Sequence, residues 1–155
     1  MLRVVLFLGL SSIGFACGGS DMAVDDLVAE HQTRLEEART SNRQHNADVG
    51  EAPDEGSVRG MERTHEASMN EMMGRMDGTL DKMMSCPMMG ATAESDGTMG
   101  MRSETSRHAG AMASASSLEV MRTEESTHQT RMGEMLTAME GRHSQMMSMM
   151  GMMCK

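Results

Sequence analysis

The sequence predicts an all-α fold, an up-down-up-down four-helix bundle made from a duplicated αα-hairpin, and three observations predict it. Apolar residues recur at spacings of three and four, with few β-branched or aromatic residues to favour strands. Turn-forming residues divide the chain into four such stretches. Displaced against itself by 63 positions, the chain also lays "THEASMNEMMGRMDGTLDKMMS" (64–85) on "THQTRMGEMLTAMEGRHSQMMS" (127–148), with ten of 22 positions identical. Thr64, His65, Glu71 and Gly78 recur as well as methionines, and His45 and Glu62 meet His108 and Glu125 at the same displacement. A repeat of this size is one supersecondary unit used twice.

The first helix is expected over about 21–48, with Val24, Val28, His31, Leu35, Ala38, Asn42, His45 and Val49 on one seam. "GEAPDEGS" (50–57) ends it with Gly, Pro and acidic residues. The second, about 58–85, carries Glu62, His65, Met69, Met72, Met76, Thr79, Met83 and, just past its end, Cys86 on its seam, and Pro87 stops it. Three glycines in "GATAESDGTMGMRSE" argue for irregular chain before Met101, so the third helix is placed at 101–114. The fourth, about 118–150, has the cleanest seam: Glu125, His128, Met132, Met135, Met139, Arg142, Met146, Met149 and Met153. Short connections make neighbours antiparallel, with repeats at about 21–86 and 87–154.

Ahead of the bundle, "MLRVVLFLGLSSIGFACGGS" has one positive charge at Arg3 and an apolar run too short to act as a stable span. It reads as a signal peptide, 1–16. Gly14, Phe15, Ala16 and Cys17, followed by Gly18, Gly19 and Ser20, resemble the lipobox of bacterial lipoproteins. That resemblance implies cleavage before Cys17, lipidation of Cys17 and a short tether, 17–20, with the protein exported and held to a membrane of the cell envelope. The outer membrane facing the periplasm is preferred, because Gly18 is not an Asp-type retention signal. Gly14 stands where the family usually has a branched apolar residue, and cleavage after Ala16 by ordinary signal peptidase is the alternative.

The remaining 139 residues, 21–155 forming one domain, contain no Phe, Tyr, Trp or Ile, and five Leu and five Val against 23 Met. A core of flexible thioethers fills space without specifying shape. With Arg3 removed the net charge is −10. That acidity, with no ring on which a base could stack, argues against nucleic acid. The expected partners are a membrane, through the lipid, and a metal ion.

All six histidines fall on the seams. His45 and His65 flank the loop near Pro53, and His108 and His128 flank the next turn at the same separation, so the four are expected in one layer. Glu62 and Glu125 precede His65 and His128 by three, which puts each carboxylate on the face of its imidazole. This Glu-x-x-His pair resembles the ligand motif of ferritin-like di-metal carboxylate bundles, although His45 and His108 stand where that family has lone Glu ligands. The candidate metal ligands are therefore His45, Glu62, His65, His108, Glu125 and His128. A nitrogen-rich set suits copper, with zinc or iron ranked behind it. The competing reading is a hydrogen-bonded polar layer without metal. A thinner layer of His31, Glu94 and His143 is expected to be structural.

The adjacent Met pairs of "MMSCPMMG" (83–90) and "MMSMMGMMCK" (146–155) cannot all face inward on a helix. His143, Met146, Met147, Met149, Met150, Met152 and Met153 form a candidate secondary soft-metal region. His143-Ser-Gln-Met146 and the His-x-x-x-Met pairs 65/69, 108/112, 128/132 and 143/147 put nitrogen and sulfur one turn apart and resemble, in kind, the Met/His motifs of periplasmic copper and silver sponge proteins. Cys86 and Cys154 reach the same end of such a bundle, and an oxidising envelope favours a disulfide between them over two free thiols serving Cu(I). Closing 67 intervening residues would stabilise the fold by roughly 4 kcal/mol. Phosphate loops, Gly-x-Ser-x-Gly and Cys-x-x-Cys-His are absent. A non-enzymatic protein that buffers or detoxifies copper is expected. The alternatives are a structural or adaptor lipoprotein with a Met core acting as an oxidant sink and, more weakly, a di-metal oxidase.

Overall fold

Four helices form because each carries one apolar stripe that has no other place to go than against its neighbours. In the computed structural model, which describes residues 24–84 and 95–153, they are α1 (Val24–Glu51), α2 (Glu55–Met84), α3 (Ser95–Ser114) and α4 (Leu118–Met153). The side chains of Met146, Met147, Met149, Met150, Met152 and Met153 lie outside that description, as do Cys17, Cys86, Glu94 and Cys154. Each helix packs on the next, α1 packs on α4, and α2 and α4 approach across the diagonal: a four-helix bundle. No helix among the described residues is long and apolar enough to cross a membrane.

The turn between α1 and α2 is tighter than "GEAPDEGS" predicts. Helix α1 runs through Gly50 to Glu51, Pro53 ends it, and α2 begins at Glu55 because the Asp54 carboxylate accepts the Ser57 N–H at 2.7 Å. Ser117 caps α4 in the same way, its hydroxyl accepting the Val120 N–H at 3.3 Å, 63 positions along. Helix α3 starts at Ser95, six residues before the expected Met101. Its Gly97 has a packing reason: a Cβ there would come within 2.8 Å of Met139 Cγ and 2.7 Å of Arg142 Nη2. The glycine lets α3 lie against α4 and is compatible with helix at a propensity cost of about 1 kcal/mol. Helix α4 extends one turn past the expected 150.

Two apolar clusters divide the interior. Near the turns, Val49, Ala52, Val58, Met112 and Met121 pack with Met61, Ala115 and Leu118. Deeper in the bundle, Leu35, Ala38, Leu136 and the methionines 69, 72, 73, 76, 101, 132 and 139 form the main core. Between them lies a rung of buried polar residues.

Duplication also shows in how the hairpins clasp one another. Arg59 of α2 donates to the carbonyls of Met112, Ala113 and Ala115 at 2.8, 2.8 and 3.1 Å, closing the end of α3. Arg122 of α4, 63 positions later, donates to Val49 and Ala52 at 3.5 and 2.9 Å, closing the end of α1. Helix ends run out of i+4 amide partners; the Val49 carbonyl takes one further bond from the Ala52 N–H at 3.3 Å, and the arginines complete the ends, so each hairpin supplies the cap of the other. Arg59→Ala is expected to lower the unfolding free energy by about 1–2 kcal/mol, and Arg122→Ala by a similar or smaller amount, measured by urea denaturation.

Candidate metal centre

The polar rung is built from residues about two to three helical turns inside the turns of both hairpins. Helix α1 brings His45, α2 brings Glu62 and His65, α3 brings Glu104 and His108, and α4 brings Glu124, Glu125 and His128. Seven of these are buried, and Glu124 is partly so. At its centre four atoms alternate nitrogen and oxygen. Glu62 Oε2 lies 3.1 Å from both His45 Nε2 and His108 Nε2. Glu125 Oε2 lies 3.2 and 3.1 Å from the same two nitrogens, in charge contact without hydrogen-bond alignment.

His65 and His128 are in the layer but not in that quartet. His65 stacks on His45 with centroids 3.9 Å apart and planes 1° apart, and His128 stacks on His108 at 3.9 Å and 11°. The two stacks meet edge to face, with His45 to His108 at 6.4 Å and His65 to His128 at 5.7 Å. Each Glu of the Glu-x-x-His motifs thus turns to the histidines of the first helices, α1 and α3, rather than to its own neighbour three residues on.

Sequence reasoning missed Glu104 and Glu124. Glu104 accepts the His128 Nδ1–H at 3.2 Å, and Glu124 accepts the His108 Nδ1–H at 3.3 Å. Arg107 ties the two carboxylates together, with contacts of 2.6 and 2.7 Å to Glu104 and 2.6 Å to Glu124. Seam spacing was the available signal for Glu104, which sits four before His108 and three after Met101. The corresponding residues of the first repeat are Ser41 and Met61, so only the second half has this outer support.

Burial pushes every imidazole here toward its neutral form. For His45 and His108, the Glu125 and Glu62 carboxylates outweigh burial and raise the pKa to about 9 and about 10. Burial acts upward on both carboxylates, yet the His108 and His45 imidazoliums hold Glu62 well below the usual range and Glu125 at about 2. For His65, burial and the charge of stacked His45 lower the pKa to about 3. His128 is lowered by burial and by His108. Each stack therefore holds one charged ring and one neutral ring, an arrangement that avoids two like charges at stacking distance.

This buried His/Glu group could hold a metal ion. The four ligand atoms of His45, Glu62, His108 and Glu125 lie within 4.8 Å of one another. Bonds of about 2.05 Å give ligand-to-ligand edges of about 2.9 Å in a square and about 3.3 Å in a tetrahedron, and the four nitrogen–oxygen edges of 3.1–3.2 Å fall between. Glu62 Oε1 and Glu125 Oε1 are also buried without a hydrogen-bond partner. The arrangement can bind a cation, and it can carry protons. Comparisons of the chain with family profiles, with curated proteins and with solved structures find no match.

The shifts set a pH optimum for the metal-free fold. His45 and His108 are raised, so their stabilisation is complete below the unfolded histidine pKa near 6.5 and is lost as pH climbs toward about 9 and about 10. His31, His65, His128 and His143 are lowered, so the unfolded chain takes up protons they refuse, and stability falls as pH drops below 6.5. Glu62 and Glu125 add a loss below about 4.5. The melting temperature of chelator-treated protein is expected to peak near pH 6.5 and fall on both sides, as followed by helical circular dichroism.

Proposed function

We infer that this protein is a lipid-tethered protein of the cell envelope that holds a divalent transition metal, copper ahead of zinc and iron, for buffering or detoxification. One observation carries the metal reading: two imidazole nitrogens and two carboxylate oxygens meet as a quadrilateral with edges of 3.1–3.2 Å inside a methionine core. Charge supports it. Without metal, two imidazoliums face two carboxylates, and a dication replacing the two protons leaves the sum unchanged. The interior can therefore exchange protons for metal without acquiring net charge, which a low-dielectric core would penalise by several kcal/mol.

Copper is favoured because Cu(II) heads the affinity order for a given nitrogen and oxygen set. Holding rather than catalysis is favoured because all four ligands are at most 6% exposed, with no open face for a substrate. The tether rests on the lipobox-like residues up to Cys17 and on the short apolar run before them.

A second reading is favoured by the same contacts. The quartet already closes as ion pairs without a metal, so it can serve as a structural layer in an adaptor or spacer lipoprotein. The two part experimentally. Under the metal reading, titration with Cu(II) or Zn(II) at pH 7 saturates at one ion per chain in the quartet, releases about two protons and raises the melting temperature. His45→Gln with His108→Gln abolishes all three effects. Unchanged melting with metal and with chelator would select the structural layer.

A further inference from the structure

At the opposite end of the main core from the quartet, His31 of α1 and His143 of α4 face each other with ring centroids 5.0 Å apart and planes inclined by 32°. They lie fourteen and fifteen residues along their helices from His45 and His128, about 21 Å down the bundle. Both are fully buried, and all four of their ring nitrogens lack a hydrogen-bond partner. A buried polar group left unsatisfied loses the hydrogen bonds it had in water and destabilises the fold.

Duplication does not account for this pair. The positions 63 residues away are Glu94 and Leu80, so His31 and His143 have no counterparts in the other repeat, whereas every member of the quartet has one. A thioether lies beside the pair in sequence: Met139 is one turn before His143 on the same face and is fully buried.

The charge balance differs from the quartet's as well. No carboxylate makes a hydrogen bond or an ion pair with either ring among the described residues. Glu140, one turn before His143, acts on it through space, but its carboxylate is exposed and paired with Arg39 at 2.7 Å. Burial lowers His31 to about 4, and it lowers His143 against the opposing effect of Glu140, so both rings are neutral at pH 7 and each keeps one lone pair free of competing protons. A neutral donor pair with no buried carboxylate in contact offers little to offset a double charge. The desolvation cost of a buried ion grows with the square of its charge, so a monovalent ion is strongly preferred here. Softness adds to this, since imidazole and thioether favour Cu(I) over hard cations.

We propose that His31 and His143 form a second metal site, separate from the quartet, that takes a soft monovalent cation, Cu(I) or its redox-inert analogue Ag(I), between two buried imidazoles whose ring nitrogens have no hydrogen-bond partner. The bundle then carries two sites sorted by charge: the carboxylate-bearing quartet for a dication and the uncharged pair for a monocation. This goes beyond the preceding reading and does not require it, because each site reports through its own rings.

The test is an Ag(I) titration of the full-length protein, labelled with nitrogen-15 and loaded or not with Zn(II), read at the histidine ring nitrogens. The first equivalent of Ag(I) is expected to shift the lone-pair nitrogens of His31 and His143 whether or not Zn(II) is present, leaving His45 and His108 in place. His31→Leu with His143→Leu should fold at least as well, since it removes unpaired polar groups, and should weaken Ag(I) binding by roughly a hundredfold or more in competition with a chromogenic chelator. Unmoved His31 and His143 resonances at one equivalent in the wild type would overturn the proposal, as would unchanged Ag(I) affinity in the folded double variant. The wild-type spectra decide the matter alone if the variant does not fold.

Discussion

The constraint on which this structure turns is that charge cannot be buried alone. Four ionisable groups, two from each hairpin, occupy a rung enclosed by apolar clusters on both sides. They are tolerable there only because nitrogen and oxygen alternate around the quadrilateral, so each charge touches two of opposite sign. Removing any one leaves an uncompensated charge, which typically costs 3–5 kcal/mol, a large part of the stability of a domain this size. Helix register, the relative height of the hairpins and the pairing of their faces must all meet that condition together.

The methionine core makes this constraint more important than it would be elsewhere. Methionine has three rotatable bonds and packs acceptably in many arrangements. Seven of the ten residues in the main buried cluster are methionine, so apolar packing alone gives little preference for one register over another. A slip of α2 or α4 by one turn would largely exchange one methionine for another or for leucine in the core, at small cost. In the polar rung the same slip would strand four charged groups against thioethers. Specificity thus resides in the His/Glu layer and the reciprocal arginine caps, while bulk hydrophobic stabilisation comes from methionine.

Much of this was legible in the sequence, and the failures have physical causes. Seam spacing placed all six histidines inward, and all six are buried. Displacement by 63 placed His45, Glu62, His108 and Glu125 at equivalent points, and they converge. The start of α3 was hidden because glycine lowers helix propensity, and only the contact with Met139 explains Gly97 in a helix. The partner choice of Glu62 and Glu125 was hidden because i, i+3 spacing concerns one helix, whereas which histidine a carboxylate reaches depends on interhelical distances that one strip of sequence does not encode. Glu104 and Glu124 were obscured because their counterparts are Ser41 and Met61, so the repeat gave no signal there.

Seen from the hairpins, the quartet is a property of pairing. One hairpin supplies one histidine from its first helix and one glutamate from its second: His45 with Glu62, or His108 with Glu125. Alone, that is a single ion pair with half its contacts missing. Together, the remaining two contacts form between hairpins, His45 to Glu125 and His108 to Glu62, and the ring closes. The caps obey the same rule, with Arg59 and Arg122 each serving the other hairpin. Cross-hairpin contacts of this kind are what a twofold pairing of identical hairpins would produce, and fusing the two copies in one chain frees each half to change on its own. The outer carboxylates on one side, and the histidines at 31 and 143, are where that freedom has been used.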